Sequence, residues 1–238
     1  MIRLLVPTVG PSDWRRLLGD PARHWVRGKS ALEVAVAWEA ARNKPRGLPP
    51  EVAEILDAHE SLRGSTLVLG IPEHQVALPG GGHASQTDLW ALLRKEEHLI
   101  SVAIEAKSGE EFDKLVSDWL AGAKPNSGKP DRLKFLLGRL GLPGVDVSRI
   151  RYQLLHRSVS ALLEAERFTA RLAVLLVQSF GGAKDEASFS DYQAFGRLFS
   201  LELKKGQLQE AKVPGDIRLL IGWAPCACAR EAELADAV

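Results

Sequence analysis

Near the middle of the chain, Asp88, Glu105 and Lys107 have types and spacing that could hold a metal ion and work beside it. Glu105 and Lys107 close the segment Ser101-Val102-Ala103-Ile104-Glu105-Ala106-Lys107. Side chains of a strand alternate between its two faces. Ile100, Val102, Ile104 and Ala106 then point into a core, while Ser101, Ala103, Glu105 and Lys107 share the other face. The preceding apolar run, Thr87 to Arg94, is separated from this one by Lys95-Glu96-Glu97, a charged turn. Paired as a hairpin, the start of the first strand lies beside the end of the second, which sets Asp88 next to Glu105 and Lys107.

Two carboxylates in one place repel each other, and a cation between them relieves the repulsion. A hard divalent ion such as Mg²⁺ (or Mn²⁺) suits such a site. It takes oxygen ligands, keeps several waters and accepts substrate phosphate oxygens. It also lowers the pKa of a bound water and offsets charge that builds during phosphodiester hydrolysis. Lys107 would stabilise that charge or position the attacking water.

The elements around this hairpin follow from patterning. Ser30 reads as the N-cap of a helix over 31–42, with Glu33 completing a capping box. A second helix is expected over 51–61, with Pro50 in its first turn. Segments 66–71 and 74–78 read as strands, and Pro79-Gly80-Gly81-Gly82 as a turn. Beyond the hairpin come helices over 110–120 and 131–140 and a long helix over 148–168. A buried strand over 172–180, a helix over 191–203 and a strand over 217–223 follow. Met1 to Val6 reads as a short strand and 12–18 as a short helix. This order implies an α/β domain, a mixed sheet with helices on its faces.

Asp88 on one strand, a hairpin, and Glu105-Ala106-Lys107 after the apolar stretch Leu99 to Ile104 resemble the PD-(D/E)XK nuclease superfamily. The resemblance covers about residues 30–180 of a single domain spanning 1–238 and is densest over 86–107. It implies a restriction-endonuclease-like sheet with an inserted helical segment at about 110–147. It further implies that Asp88, Glu105 and the backbone carbonyl of Ala106 hold Mg²⁺, with Lys107 as the catalytic lysine. The first helix of that family often supplies a glutamate, for which Glu33 is the candidate. A later helix often supplies a polar residue, and Tyr152, Gln153 and His156 share a face of the long helix at suitable spacing. Thr87 stands where the family more often has proline. The function implied is hydrolysis of DNA phosphodiesters by metal-activated water, a Mg-dependent phosphodiesterase. The alternative is a non-catalytic module of the same type that binds nucleic acid or protein. Whether two copies pair as a homodimer is left open.

Charge adds a weak signal. The formal net charge is +1, but residues 1–50 carry nine Lys/Arg against four Asp/Glu. Residues 122–157 carry eight against two, so two basic segments could meet phosphates if they flank the acidic face. Other motifs are incomplete. Gly28-Lys29-Ser30 lacks the upstream glycine of a P-loop, and Arg63 stands where a His59-Glu60 zinc-protease motif needs its second histidine. Cys226 and Cys228, the two cysteines, are too close to bridge easily and too few for a structural zinc. No apolar run is long enough for a signal peptide or a membrane span, so a soluble, cytoplasmic protein is expected.

Overall fold

The computed structural model describes residues 8–229 except 122 and 125; the strand expected over Met1 to Val6 lies outside them. A 3₁₀ turn (Pro11–Leu17) leads to α1 (Pro21–His24), α2 (Ser30–Ala41) and α3 (Pro50–Asp57). Three strands follow: β1 (Thr66–Val76), β2 (Ser85–Lys95) and β3 (His98–Lys107). Then come α4 (Val116–Ala121), α5 (Lys129–Leu140), α6 (Tyr152–Arg167) and β4 (Leu172–Ser179). The described chain closes with α7 (Asp185–Arg197), β5 (Leu208–Ala211) and β6 (Arg218–Pro225).

The strands form one mixed sheet in the order β1-β2-β3-β4-β6-β5. β1, β2 and β3 are an antiparallel meander, and β3, β4 and β6 run parallel. The α/β layering expected from the element order is what the structure has. β4 is buried along its whole length, as its continuous apolar run requires of a central parallel strand. Alternate residues of β3 divide between two cores. Ile100, Val102, Ile104 and Ala106 pack with Leu32, Trp38 and Ile55 from α2 and α3. Ala103 packs on the other face with Leu155, Val159 and Leu162 of α6.

α6 is fixed to the sheet by polar contacts as well as apolar ones. Ser101 Oγ accepts from Trp90 Nε1 at 2.9 Å and donates to the Ala161 carbonyl at 2.9 Å, tying β2 and β3 to the middle of α6. The Trp90 ring also packs on Phe168 at 4.8 Å between centroids.

Four expectations change. Segments 66–71 and 74–78 are one strand rather than two. The capping box at Ser30 does not form, because Lys29 is the N-cap and the Ser30 hydroxyl donates to Glu110 Oε1 instead. No helix starts at Glu110, since the backbone of 114–116 pairs with 150–152 and helical bonds begin only at Val116. The edge strand β5 was not foreseen, and its polar Gln209 and Glu210 give little strand signal.

Ser101→Ala would leave the buried Trp90 indole N–H unpaired and take from the Ala161 carbonyl the bond it accepts beside its helical one. Unsatisfied buried groups cost about 1–3 kcal/mol each, so a loss of that order is expected in urea unfolding. A change under about 0.5 kcal/mol would show that this link does not anchor α6.

Candidate functional site

The site lies where the ends of β1, β2 and β3 meet α6. β2 and β3 pair with Leu89 opposite Ile104, and the same register sets Asp88 opposite Glu105. β1 pairs with Pro72 opposite Leu89 and His74 opposite Thr87, which sets Glu73 beside Asp88. Glu73, Asp88 and Glu105 thus form a row across three adjacent strands. The Glu73 backbone is left-handed, with φ 52°, an uncommon state for a residue with a side chain.

Glu105 is the hub and is 2% exposed. Its Oε1 accepts from Lys107 Nζ at 2.6 Å and from Gln153 Nε2 at 2.7 Å. Its Oε2 accepts from Arg157 Nε at 2.6 Å. Gln153 Oε1 in turn accepts from Lys107 Nζ at 3.2 Å and from the Asp113 N–H at 3.2 Å. Gln153 and Arg157 are four residues apart, one turn along α6, so one helix face serves both oxygens. Arg157 Nη1 also donates to Ser85 Oγ at 3.1 Å, and that hydroxyl is 2.8 Å from His156 Nδ1.

Asp88 is held differently. Its Oδ2 accepts from the Ala106 N–H at 2.6 Å, a backbone anchor that fixes the carboxylate beside β3. Glu73 Oε2 accepts from Gln86 Nε2 at 2.7 Å.

The three carboxyls titrate in opposite senses. Burial would raise Glu105, but the Lys107 and Arg157 charges and their hydrogen bonds outweigh it and hold the group below its ordinary range. Burial pushes Asp88 well up, and the Glu105 and Glu73 charges add to the shift against the pull of Lys107 and Arg157. Burial also raises Glu73, to about 7, with Glu105 adding to it while Gln86 and Arg157 oppose. Two cations therefore satisfy Glu105 but leave the other two carboxyls crowded. His156 is pushed well below its usual value by burial, then by Arg157 and the cations beyond it, so it is neutral at ordinary pH.

The structure brings Asp88, Glu105, Lys107 and Gln153 together. Ala106 joins them through its N–H. His156 stands behind Arg157, and Tyr152 stacks on Trp119 at 3.9 Å, one step from the carboxylates. Glu33 is elsewhere. It is on α2, which covers the opposite face of the sheet, and its Oε2 accepts from the Ala229 N–H at 2.7 Å. Its burial reflects that tail contact.

Three members of the site went unforeseen: Glu73, Ser85 and Arg157. Arg157 was legible as the residue one turn after Gln153. Glu73 was not, because its left-handed backbone breaks the alternation by which strand faces are read.

Residues 7–228 match the family model described as a domain of unknown function, DUF6946. The chain belongs to this family. No curated protein matches the chain, and no solved structure does. Among the described residues no helix is long and apolar enough to cross a membrane.

The basic segment 122–157 is largely committed internally. Arg139 pairs with Glu166, Arg151 with Asp191 and Glu111, and Arg157 with Glu105. Arg132 donates to the carbonyls of Leu78, Pro79, Gly81 and His83. Exposed Lys124, Lys134 and Arg149 remain at the surface.

Two outcomes are expected. An exposed glutamate titrates near 4.3, so the folded chain with Glu73 near 7 binds more protons between these values. Metal-free stability must then fall as pH rises from about 4.5 to 7. Glu73→Gln should flatten that decline in thermal melts, and an unchanged profile would place the titration elsewhere. Arg157→Met removes one partner of a buried ion pair and should cost about 3–5 kcal/mol in chemical unfolding.

Proposed function

We propose that this chain is a metal-dependent nuclease with a restriction-endonuclease-like core of the PD-(D/E)XK type. The observation that supports it best is the strand register. It sets Asp88 opposite Glu105, with Lys107 two residues on and Gln153 reaching in from the helix packed over them. The donor set fits a hard divalent cation. Asp88 and Glu73 are crowded carboxyls whose ionised forms a cation would favour, and both are oxygen donors of the kind Mg²⁺ or Mn²⁺ takes. Asp88, Glu105 and the Ala106 carbonyl would hold the ion, with Glu73 as a further oxygen nearby.

When bound, the ion supplies an acidified water and charge neutralisation for phosphodiester hydrolysis. The protein's own groups position the rest. Lys107, held between Glu105 and Gln153, keeps a positive charge beside the carboxylates and is placed to stabilise a phosphate oxygen. Gln153 fixes the orientation of both. Arg157 and the Ser85–His156 pair fix the far oxygen of Glu105.

A second reading is favoured by the same hub. Both oxygens of Glu105 are already occupied by Lys107, Gln153 and Arg157. Among the described residues no group of three or more His, Cys, Asp or Glu is arranged to hold a metal. In that reading the cluster is a structural ion-pair network in a non-catalytic module that binds nucleic acid or protein.

Calorimetric titration with Mg²⁺ and Mn²⁺, and DNA cleavage with each ion, separate the two. The nuclease reading expects one bound ion per chain and metal-dependent cleavage. Asp88→Asn should abolish both while the melting temperature holds or rises, because a crowded charge is removed. Lys107→Ala should abolish cleavage with metal affinity kept or increased. Glu105→Ala is a poor probe, since it strands Lys107 and Arg157 in a buried site. Wild-type protein that binds neither ion contradicts the nuclease and leaves the binding module.

A further inference from the structure

Beside the carboxylate row, and sharing a wall with it, is a cavity of about 440 Å³, within the range of small-molecule sites. Its walls come from the glycine loop after β1, the start of α5, and the first turn of α6. Ser85 and His156 line it and also contact Arg157, which holds Glu105. Asp113 lines it as well, and its N–H donates to Gln153, the other residue that holds Glu105. The cavity therefore adjoins the site through two independent contacts.

Its chemistry is aromatic and cationic. Trp119 and Tyr152 stack at 3.9 Å and 10°, and His156 packs on Tyr152 at 4.7 Å. Lys129 Nζ lies 5.2 Å from the centre of the Trp119 ring. Tyr152 is 6% exposed, and its buried hydroxyl lies against Arg132. At the start of α5 the Ser127 hydroxyl accepts from the Lys129 N–H at 3.3 Å and Pro130 has no N–H, so the cation this wall offers is the Lys129 side chain. The opposite wall is built to keep its shape. Gly80, Gly81 and Gly82 all have positive φ, and Arg132 grips four carbonyls of that loop. A side-chain carbon at Gly80 would strike the Gly128 carbonyl.

We propose that this cavity receives one unpaired nucleotide of the nucleic-acid strand, its base against the partly exposed Trp119 ring, which Tyr152 and His156 back, and its phosphate at the Lys129 ammonium. The proposal rests on the nuclease reading for the identity of the strand, and it adds that the substrate must present an unstacked nucleotide next to the scissile phosphate. Rings that stack on bases and cations that meet phosphates are the two components of single-strand recognition.

Trp119 is the one partly exposed tryptophan of six, the other five being buried, so quenching of indole fluorescence reports on this cavity. The probes are deoxyadenosine monophosphate, inorganic phosphate and deoxyribose phosphate, each titrated without divalent metal. Saturable quenching by the nucleotide is expected, with neither base-free probe competing at equal concentration. Lys129→Met should weaken the nucleotide about tenfold, the worth of one charge-assisted contact. Calorimetry on Trp119→Leu, which has no reporter at this site, should show a comparable loss. Equal competition by inorganic phosphate, or no quenching at millimolar nucleotide, overturns the proposal. Because no metal is present, failure here leaves the metal titration standing, and failure of that titration leaves this result standing.

Discussion

A carboxylate buried to 2% exposure must be neutralised, and the way Glu105 is neutralised organises this end of the molecule. One oxygen needs Lys107 and Gln153, the other needs Arg157. Those partners come from β3 itself and from a single face of α6. The crossing of α6 over the sheet is therefore specified electrostatically here and by packing elsewhere, where Ser101 binds the Ala161 carbonyl and Ala103 meets Leu155. Losing one partner would leave a buried charge uncompensated, which is far costlier than losing an exposed pair.

The same interaction explains why the remaining carboxyls are uncomfortable. Lys107 and Arg157 direct their hydrogen bonds to Glu105, Gln153 and Ser85, so Asp88 has the Ala106 N–H and Glu73 has Gln86. Both are driven toward their protonated forms at neutral pH. A divalent cation would reverse that preference, and perturbed carboxyls clustered beside a cavity are a recurrent mark of functional sites. A purely structural network has less reason to gather three acids around two bases.

How far the sequence disclosed this depends on which rule placed each residue. Period-two alternation from Leu99 to Lys107 and the charged turn at 95–97 were enough to pair β2 with β3 and to set Asp88 opposite Glu105. The family resemblance offered Tyr152, Gln153 and His156 together, and of these Gln153 is the one that bonds to Glu105. Glu33 misled because a helix that follows a family's order need not lie on the same face of the sheet, and chain order does not state faces. Glu73 was hidden by its left-handed backbone, which no residue pattern signals at a glutamate. The segment after Glu110 was amphipathic enough for a helix, yet its backbone is taken by 150–152, a long-range pairing invisible in local propensity. The cavity was the least legible feature, since it joins a glycine loop, a helix start and a helix face distant in sequence.

The nuclease proposal turns on whether a divalent cation completes the row Glu73–Asp88–Glu105. Anomalous scattering from crystals grown with Mn²⁺ tests this most directly. The expected result is one strong peak bridging Asp88 and Glu105, with Glu105 released from at least one of Lys107 and Arg157. No peak at that position, with Lys107, Gln153 and Arg157 all still bonded to Glu105, would contradict it.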